Sequence, residues 1–497
     1  MKVNFLVLPV LLLLSGVTTL FAAEKTAKPN IVIFLIDDLG WADVGWHGTE
    51  IKTPNLDKLA DSGIKLEQFY VRPLCSPTRA SLLTGRYPLR YGLQQHVIWP
   101  WSDYGLPTDE RTLADALHET GYYTAIVGKW HLGVADKKYH PLQRGFDHHY
   151  GLYNWGVDYY EHTYPGMGPG RPLARQEGTR PEAAGPDFFG RNIAGGFDWH
   201  RNGKTVREEG YSTDLIGKEA AGLVKNHDTA KPLFLYVPFN GVHSPYQEAP
   251  DKELNAQYEN LNGVRKIYAG MVSSVDSNVG RIVKALEEKG ILDNTVIFFS
   301  SDNGGPQPKV VTDNGPLRGE KATVYEGGVR VPAFVVWPGK IKPNTASHQA
   351  FHIVDLYPTL LGIAGASLEQ KHPLDGVDIK DALLEDKPLS RKEILLYSIP
   401  RGGAIRVGDW KLVINGGSSF RFGQGQEQDR KTELFNIKED PYEKNDLAAS
   451  NPEKLQELLE RYEVYVKESV PPLEKPVLEL EVPKNFKTPE VWGEEPD

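Results

Sequence analysis

Apolar runs bounded by polar turns recur through the first two thirds of the chain. A run that is apolar at nearly every position is typical of a strand buried on both faces of a sheet. Such runs lie at Asn30–Ile36, Leu233–Val237 and Thr295–Ser300, and Tyr123–Val127 is a further predicted strand. Polar residues follow directly after most of them, so these segments are expected to carry side chains from the core to a sheet edge.

Helices are predicted between these strands from start and stop residues. They run from Thr53-Pro54 to Gly63, from about Thr112 to Thr120 and from Leu261 to Lys289. Proline in a first turn and glycine after the last turn mark such boundaries. Strands that alternate with helices predict an α/β fold, a large mixed, mainly parallel sheet sandwiched by helices.

The pattern changes near residue 366, where short strands and one terminal helix replace the alternation. The predicted strands are Glu393–Ile399, Ala404–Val407, Trp410–Ile414 and Thr432–Ile437. The helix starts at Asn451-Pro452, and its apolar face is expected to hold Leu455, Leu458, Leu459, Tyr462 and Val466. We therefore expect a first domain over 24–365 and a smaller C-terminal α+β domain with an antiparallel sheet over 366–470.

Two further segments lack a regular period. Residues 160–210 are rich in Gly, Pro and Arg, and two interpretations stand: a long excursion that contacts substrate, or a solvated surface loop. Residues 471–497 form a proline-rich acidic tail, which either wraps the surface or is mobile.

The N-terminus is typical of a secretory signal peptide over residues 1–23. A basic start at Met1-Lys2 precedes the apolar run Phe5–Leu14, and small residues follow up to Ala22-Ala23. The alternative is an uncleaved membrane anchor, but the run is shorter than the ~20 residues of a typical span. The expectation is a periplasmic or secreted protein with no membrane association after cleavage.

Composition narrows the function classes. The chain is 40% hydrophobic and 25% charged, which argues against a disordered or multi-span membrane protein. Its net charge is −10 and it has no dense basic segment, so no nucleic-acid partner is expected. Cys75 is the one cysteine, so no intrachain disulfide forms and the thiol is free for another use.

That cysteine begins a distinctive block, Cys75-Ser-Pro-Thr-Arg79, with Leu83-Thr-Gly-Arg86 downstream. A buried cysteine at a helix start, with Pro77 in the first turn, would explain part of it but gives no reason for Arg79. The two blocks resemble the signature of the formylglycine-dependent sulfatases, of the alkaline-phosphatase-like superfamily. The resemblance implies that a maturation enzyme oxidises Cys75 to formylglycine. Its hydrate would attack sulfur, the alcohol would leave, and the covalent hemisulfate would then eliminate sulfate.

The resemblance extends over nearly the whole chain. Further blocks that resemble the family lie at Ile36–Trp41, Val127–Gly133, Phe239–His243, Ser301–Gly304, Leu317–Lys321 and Tyr325–Gly328. Gly92–Gln94 with Ile98–Pro100, and Arg144–Asp147, resemble the arylsulfatase B-like branch. The segments Gly408–Leu412 and Glu433–Asn436 resemble the family's second domain.

Oxygen ligands follow two of the predicted core strands. Asp37 and Asp38 come after the first, and Asp302 and Asn303 after the last. Carboxyl ends of neighbouring parallel strands are where α/β proteins bind ligands, and an all-oxygen set favours Ca²⁺ or Mg²⁺ over zinc. The resemblance implies one Ca²⁺ per active site, with residue 75 as a further ligand.

The resemblance also assigns catalytic roles. Arg79 and Lys129 would hold the formylglycine hydrate, and His131 would remove a proton to expel sulfate. His243 and Lys321 would bind the sulfate oxygens and assist the leaving alcohol, and Asp302 would help activate the attacking hydroxyl. Lys129 and His131, two residues apart in a segment expected to be extended, would project to the same side.

The sequence identifies residues that contact substrate less specifically than it identifies the catalytic and metal-binding residues. His200 is a candidate, as are four arginines of the excursion: Arg171, Arg175, Arg180 and Arg191. The aromatic residues Trp99, Trp101 and Tyr153–Tyr160 are either stacking platforms for sugar rings or loop packing. Most other histidines are expected to be surface or structural residues.

The sequence therefore predicts a sulfatase that acts on a sulfated carbohydrate. A glycosaminoglycan or algal polysaccharide unit is expected, such as 4-sulfated N-acetylgalactosamine or galactose. Two alternatives stand: a phosphomonoester or phosphonate hydrolase on the same scaffold, and an inactive protein that binds sulfated glycans.

Overall fold

The computed structural model describes Met1 and residues 28–163, 196–399, 402–417, 431–474 and 489–493. Its main feature is an eleven-stranded sheet in the order β11-β2-β10-β8-β1-β7-β3-β4-β5-β6, with β9 beside β2. The strands are β1 Asn30–Ile36, β2 Ile64–Tyr70, β3 Tyr123–Val127, β4 His148–Gly151, β5 His200–Arg201, β6 Lys204–Thr205, β7 Leu233–Pro238, β8 Thr295–Ser301, β9 Arg330–Val331, β10 Ala333–Val336 and β11 Thr345–His352.

The centre of this sheet is parallel. β1 pairs in parallel with β7 and β8, and β3 pairs in parallel with β7 and β4. β10 runs antiparallel to both β2 and β8, so the sheet is mixed. The predicted large mixed, mainly parallel sheet is confirmed.

Helices cover both faces of this sheet, and the last helix packs on the second sheet described below. The helices are α1 Pro54–Asp61, α2 Cys75–Thr84, α3 Leu113–Glu119, α4 Ser212–Asn226, α5 Lys252–Ala256, α6 Gly263–Glu288, α7 Glu326–Val329, α8 Leu356–Ala364, α9 Lys380–Glu385 and α10 Pro452–Lys467. β1 is fully buried: Ile31, Ile33 and Leu35 join the core formed with α2, α3, α8 and α9. Its alternate residues Val32 and Phe34 join the core formed with α1, α4, α5 and α6, as the period of a strand requires.

The second sheet is an antiparallel meander of four strands. These are β12 Glu393–Ile399, β13 Gly402–Val407, β14 Trp410–Ile414 and β15 Thr432–Asn436, in that order. α10 packs on it through the buried Leu458 and Tyr462. The prediction for Val466 is wrong, because its side chain is exposed and the neighbouring Tyr465 packs instead.

A buried charge cluster joins the two sheets. Lys411 on β14 lies 2.8 Å from a carboxylate oxygen of Glu326 on α7 and 2.8 Å from one of Glu443, and its side chain is fully buried. Tyr70 on β2 donates to Glu326 at 2.8 Å and accepts a hydrogen bond from Arg406 on β13. Lys411 is thus paired with both carboxylates, as a buried ion needs to be if it is not to destabilise the fold.

Parts of the sequence predictions fall outside the described residues. These are nearly all of the signal segment, the four excursion arginines, and residues 475–488 and 494–497 of the tail. The described ends of the tail pack on the protein: Leu473 donates its N–H to the Gly92 carbonyl, and Trp492 is buried and donates its N–H to the Phe197 carbonyl. The division at residue 366 stays a prediction. Within the described residues, no helix is long and apolar enough to span a membrane.

Candidate active site

The ends of two central strands bring the predicted oxygen ligands together. β1 and β8 are parallel neighbours in register, with Ile36 opposite Ser301, so the residues that follow them lie at the same sheet edge. Asp37, Asp38 and Asp302 are all buried there, and with Cys75 they offer ligand atoms within 4.8 Å of one another. Asn303 is buried beside them and donates from Nδ2 to Asp38 at 2.7 Å.

Cys75 is the first residue of α2. The extended backbone of Leu74 precedes it, Pro77 lies in the first turn, and Gly85 ends the helix with φ +67°. The Sγ atom lies 3.4 Å from Asn303 Oδ1 and 3.6 Å from Asp37 Oδ1. Burial, followed by the charge of Asp302, raises the pKa of the Cys75 thiol well above its ordinary value.

Arg79 lies one turn after Cys75, on the same helix face. Its side chain is fully buried and grips Asp302 Oδ2 from two nitrogens, at 3.1 and 2.8 Å. A third nitrogen donates to the Lys129 carbonyl at 2.9 Å, so α2, β8 and the loop after β3 are tied together. The spacing of the cysteine block thus has a geometric reason, because a cation one turn on reaches the carboxylates beside Cys75.

Two lysines complete the charge balance. Lys129 Nζ lies 2.5 Å from Asp37 Oδ2, and Lys321 Nζ lies 2.7 Å from Asp38 Oδ1. With Arg79 they give three cations against three carboxylates. A divalent cation would therefore make the site positive, which favours an anionic substrate although the whole chain is acidic.

The donor set fits a hard cation. Burial disfavours the Asp38 carboxylate, yet Lys321 and His243 lower its pKa to about 2. Burial and the charge of Asp37 raise the pKa of Asp302 to about 6, so these carboxylates crowd one another. Buried, crowded carboxylate and amide oxygens are what Ca²⁺ or Mg²⁺ binds, whereas zinc prefers nitrogen and sulfur ligands.

His131 has one ring nitrogen anchored and one available. Its Nε2 lies 3.1 Å from the Ile98 carbonyl and must donate to it, so Nδ1 carries the lone pair. Among the described residues Nδ1 has no hydrogen-bond partner, although it is buried. Burial and the charge of Lys129 hold the pKa of His131 well below its ordinary value, so the ring is neutral.

The backbone around His131 differs from the expectation of an extended segment. His131 has φ +57°, in the left-handed region. Lys129, Trp130 and His131 donate their N–H groups to the carbonyls of Pro238, Leu152 and Tyr153, respectively. These bonds hold the turn that directs Lys129 to Asp37 and His131 to Ile98, so strand alternation does not position the two side chains.

His243 lies five residues after β7, beside Asp38. Its Nδ1 donates to the Ser244 carbonyl at 2.6 Å, and its Nε2 lies 3.7 Å from Asp38 Oδ2. Burial and the charge of Lys321 lower the pKa of His243 to about 3. A single buried cluster therefore holds the catalytic candidates, of which His131 belongs to it through the loop that it shares with Lys129. Besides Asp302, the six candidates are Cys75, Arg79, Lys129, His131, His243 and Lys321.

His200 is placed elsewhere. Its side chain is fully buried on β5, where Nε2 donates to Asp198 at 3.1 Å and the ring contacts Tyr153. None of the hydrogen bonds or ring contacts found for it among the described residues involves the six catalytic candidates.

The sequence did not single out two residues that organise the site. Ser76 donates to the His131 carbonyl at 2.9 Å and accepts from the Ile98 N–H at 3.0 Å, and its position inside the cysteine block was an available signal. Asp198 accepts from the N–H groups of Tyr153 and Asn154 at 2.8 and 2.9 Å. No local pattern marks Asp198 as a support of this loop, because Tyr153 and Asn154 lie more than forty residues away from it.

Family models match almost the whole described chain. The model described as Sulfatase matches residues 29–366, and the model described as N-sulphoglucosamine sulphohydrolase, C-terminal, matches residues 319–467. The first match contains every candidate metal and catalytic residue. The second overlaps it and extends through the antiparallel sheet and α10.

Similar proteins agree with these matches. Arylsulfatase J of Mus musculus is 37% identical, covering 90% of this chain and 77% of its own, and N-acetylgalactosamine-6-sulfatase of Canis lupus familiaris is 33% identical, covering 81% and 74%. The crystal structure of Ps i-CgsB in complex with k-i-k-neocarrahexaose has a TM-score of 0.74 at 33% identity, covering 90% of this chain and 94% of that one. The chain belongs to the sulfatase family of sulfuric ester hydrolases, with the alkaline-phosphatase-like fold.

Proposed function

We propose that this protein hydrolyses sulfate esters of a carbohydrate, using Ca²⁺ and a formylglycine made from Cys75. The observation that carries the proposal is the meeting of Cys75, three carboxylates and three cations in one buried cluster. A sulfate ester is anionic and repels nucleophiles, so its hydrolysis needs local positive charge and an activated hydroxyl.

Two groups that the protein must acquire fit this cluster. Asp37, Asp38, Asp302 and Asn303 would hold Ca²⁺, which when bound draws electron density from the ester oxygens. At position 75, formylglycine as its hydrate would supply the hydroxyl that attacks sulfur, with an oxygen where Sγ now lies. A formylglycine-generating maturation enzyme is therefore a required partner.

The cations of the chain would bind and orient the anionic groups. Arg79 is locked by Asp302 and the Lys129 carbonyl, so it holds the α2 terminus in place and stabilises charge near residue 75. Lys321 is partly accessible, with its side chain 16% exposed, and is positioned to meet the sulfate oxygens. Lys129 is fully buried, which suits a role at the hydrate rather than at the sugar.

Proton transfer would fall to the two histidines. The neutral His131 has Nδ1 available as a base, so it can accept the proton whose removal regenerates the aldehyde and expels sulfate. His243 Nε2 lies on the Asp38 and Lys321 side of the cluster, where it would assist the leaving alcohol.

The relatives support a sulfated carbohydrate as substrate. Ps i-CgsB was solved with a neocarrahexaose, and the canine relative is named N-acetylgalactosamine-6-sulfatase. We propose a sulfated galactose or N-acetylgalactosamine unit of a glycosaminoglycan or algal polysaccharide. Such polymers lie outside the cell, which agrees with a periplasmic or secreted protein. The arylsulfatase B-like blocks of the sequence imply a sulfate at position 4, whereas the canine relative is named for position 6.

A panel of sulfated saccharides, together with an aryl sulfate and the corresponding aryl phosphate, tests the proposal. The matured protein should release sulfate, and Cys75→Ala should abolish this release while leaving the thermal unfolding temperature nearly unchanged. Ser81→Ala is the matched control, because Ser81 lies on the same helix, is buried and has no hydrogen-bond partner among the described residues. Phosphate release that exceeds sulfate release, or full activity of Cys75→Ala, would contradict the proposal.

A further inference from the structure

Three tryptophans form an aromatic wall, defined here as Trp99, Trp101 and Trp155. The rings of Trp99 and Trp101 stack at 5.2 Å with an interplanar angle of 6°, and Trp155 meets Trp99 edge-on at 5.2 Å. Trp99 is buried, whereas Trp101 and Trp155 are partly exposed. The wall thus has one buried member and two partly exposed members.

This aromatic wall borders the candidate active site. It packs in one cluster with Leu74, which precedes Cys75, and with Ala322, which follows Lys321. Trp99 follows Ile98, whose carbonyl anchors His131. The Trp155 ring lies 6.2 Å from the His243 ring, centroid to centroid. Trp155 therefore lies beside the group placed to meet the leaving alcohol.

The loop that carries Trp155 is held by hydrogen bonds to Asp198. Asp198 is fully buried and accepts hydrogen bonds from the N–H groups of Tyr153 and Asn154 and from Asn154 Nδ2, all within 2.9 Å. His200 donates to the same carboxylate at 3.1 Å. Four hydrogen bonds to one buried carboxylate fix the residues next to Trp155.

We infer that the pyranose ring bearing the scissile sulfate stacks on Trp155, with Trp101 extending the aromatic surface. The faces of a pyranose carry C–H bonds, which pack on the electron-rich face of an indole, while its hydroxyl groups point outward. The ester oxygen joins the ring directly to the sulfate held by His243 and Lys321, so the ring must lie beside them. In this arrangement His200 positions Trp155 through Asp198 and does not touch the sugar. The inference rests on the proposed function.

Sulfate release from sulfated galactose and N-acetylgalactosamine monosaccharides tests it. Trp155→Ala should raise KM for the preferred monosaccharide by about tenfold, the loss expected for one aromatic contact, with a smaller change in kcat. Trp155→Phe keeps a ring and should stay close to wild type. Trp410→Phe, on β14 of the second sheet, is the control. Calorimetry with the Cys75→Ala protein should show the same loss of affinity when Trp155→Ala is added.

Each outcome decides between the claims. If Trp155→Ala changes KM no more than Trp410→Phe does, or lowers only activity on longer saccharides, the stacking of the sulfated ring is wrong while the proposed function stands. If wild-type protein with a verified formylglycine releases no sulfate from any sulfated sugar, the proposed function fails and the stacking inference falls with it.

Discussion

Replacing Lys411 by methionine should destabilise the protein much more at pH 8 than at pH 5. Lys411 is fully buried and lies 2.8 Å from both Glu326 and Glu443 at the junction of the two sheets. The methionine side chain is about as long as that of lysine but is apolar, so the substitution removes the charge and the hydrogen bonds with little change in volume. What remains is a pair of buried carboxylates, of which only Glu326 keeps a nearby cation, Arg330 at 3.6 Å.

The magnitude follows from the pairing. Removing one partner of a buried ion pair costs about 3–5 kcal/mol. The entropy of unfolding is ~2.1 cal/mol/K per residue, or roughly 1 kcal/mol/K for this chain. The midpoint temperature of a cooperative unfolding transition would therefore fall by about 3–5 °C. Lys431→Met is the matched control, because that side chain is 67% exposed in its pair with Glu433 and such pairs contribute less than about 1 kcal/mol.

The pH dependence has a definite sign. Burial raises the pKa of Glu443 from 4.5 to about 7, so the stability linked to this group is full below pH 4.5 and is lost as pH rises through 7. Glu326 has the opposite behaviour: burial opposes its charge, but Lys411 lowers its pKa, so its contribution is present above pH 4.5 and is lost as pH falls. Without Lys411 both pKa values rise, and at pH 5 both carboxyls can take a proton.

Thermal unfolding followed by near-UV circular dichroism at pH 5 and pH 8 measures the effect. At pH 5 the cost of Lys411→Met should shrink to about 1–3 kcal/mol, that of neutral groups left without partners. An equal loss at both pH values would mean that Lys411 acts through packing and would refute the electrostatic reasoning. A loss no larger than that of Lys431→Met would refute the claim that the cluster joins the two sheets.

Two further predictions concern the active site. Adding Ca²⁺ to chelator-treated protein should raise its free energy of unfolding by about 2.7 kcal/mol at a hundredfold excess over Kd, and Asp38→Ala should remove this response. Calorimetry measures the effect. A calcium response that persists in Asp38→Ala would place the metal elsewhere. The His131→Ala variant should release about one equivalent of alcohol from an aryl sulfate and then turn over about 10²–10⁴-fold more slowly than wild type, because the base that expels sulfate is lost. Stopped-flow absorbance detects the burst. Steady turnover at the wild-type rate would exclude His131 as this base.

Local patterns were sufficient where neighbouring residues determine the structure. The strand predicted at Tyr123–Val127 has those bounds, and a helix does start at Cys75 with Pro77 in its first turn. The oxygen ligands could be predicted as one site because β1 and β8 are parallel neighbours, so the residues after them meet at one edge. Resemblance to a known family, rather than periodicity, supplied the roles of the lysines and histidines.

Contacts between distant segments were beyond a local pattern. β2, Ile64–Tyr70, was not predicted, since it lacks the continuous apolar run of β1 and β8 and its partners β10 and β11 lie far along the chain. Lys411 looks like a solvated lysine in sequence, but it is buried because Glu326, 85 residues away, faces it. Val466 was predicted to be packed and is exposed, because helical spacing alone does not say where the packed face of a helix ends.

We propose that the thiol of Cys75 is consumed to make the nucleophile. Mass spectrometry of the peptide that contains Cys75, from protein produced with graded amounts of maturation enzyme, tests this when the sulfate release of each sample is measured alongside. The side chain should exchange sulfur for an aldehyde oxygen, and sulfate release should be proportional to the converted fraction and extrapolate to zero at none. Protein that keeps the intact thiol and still releases sulfate at the full rate would contradict it.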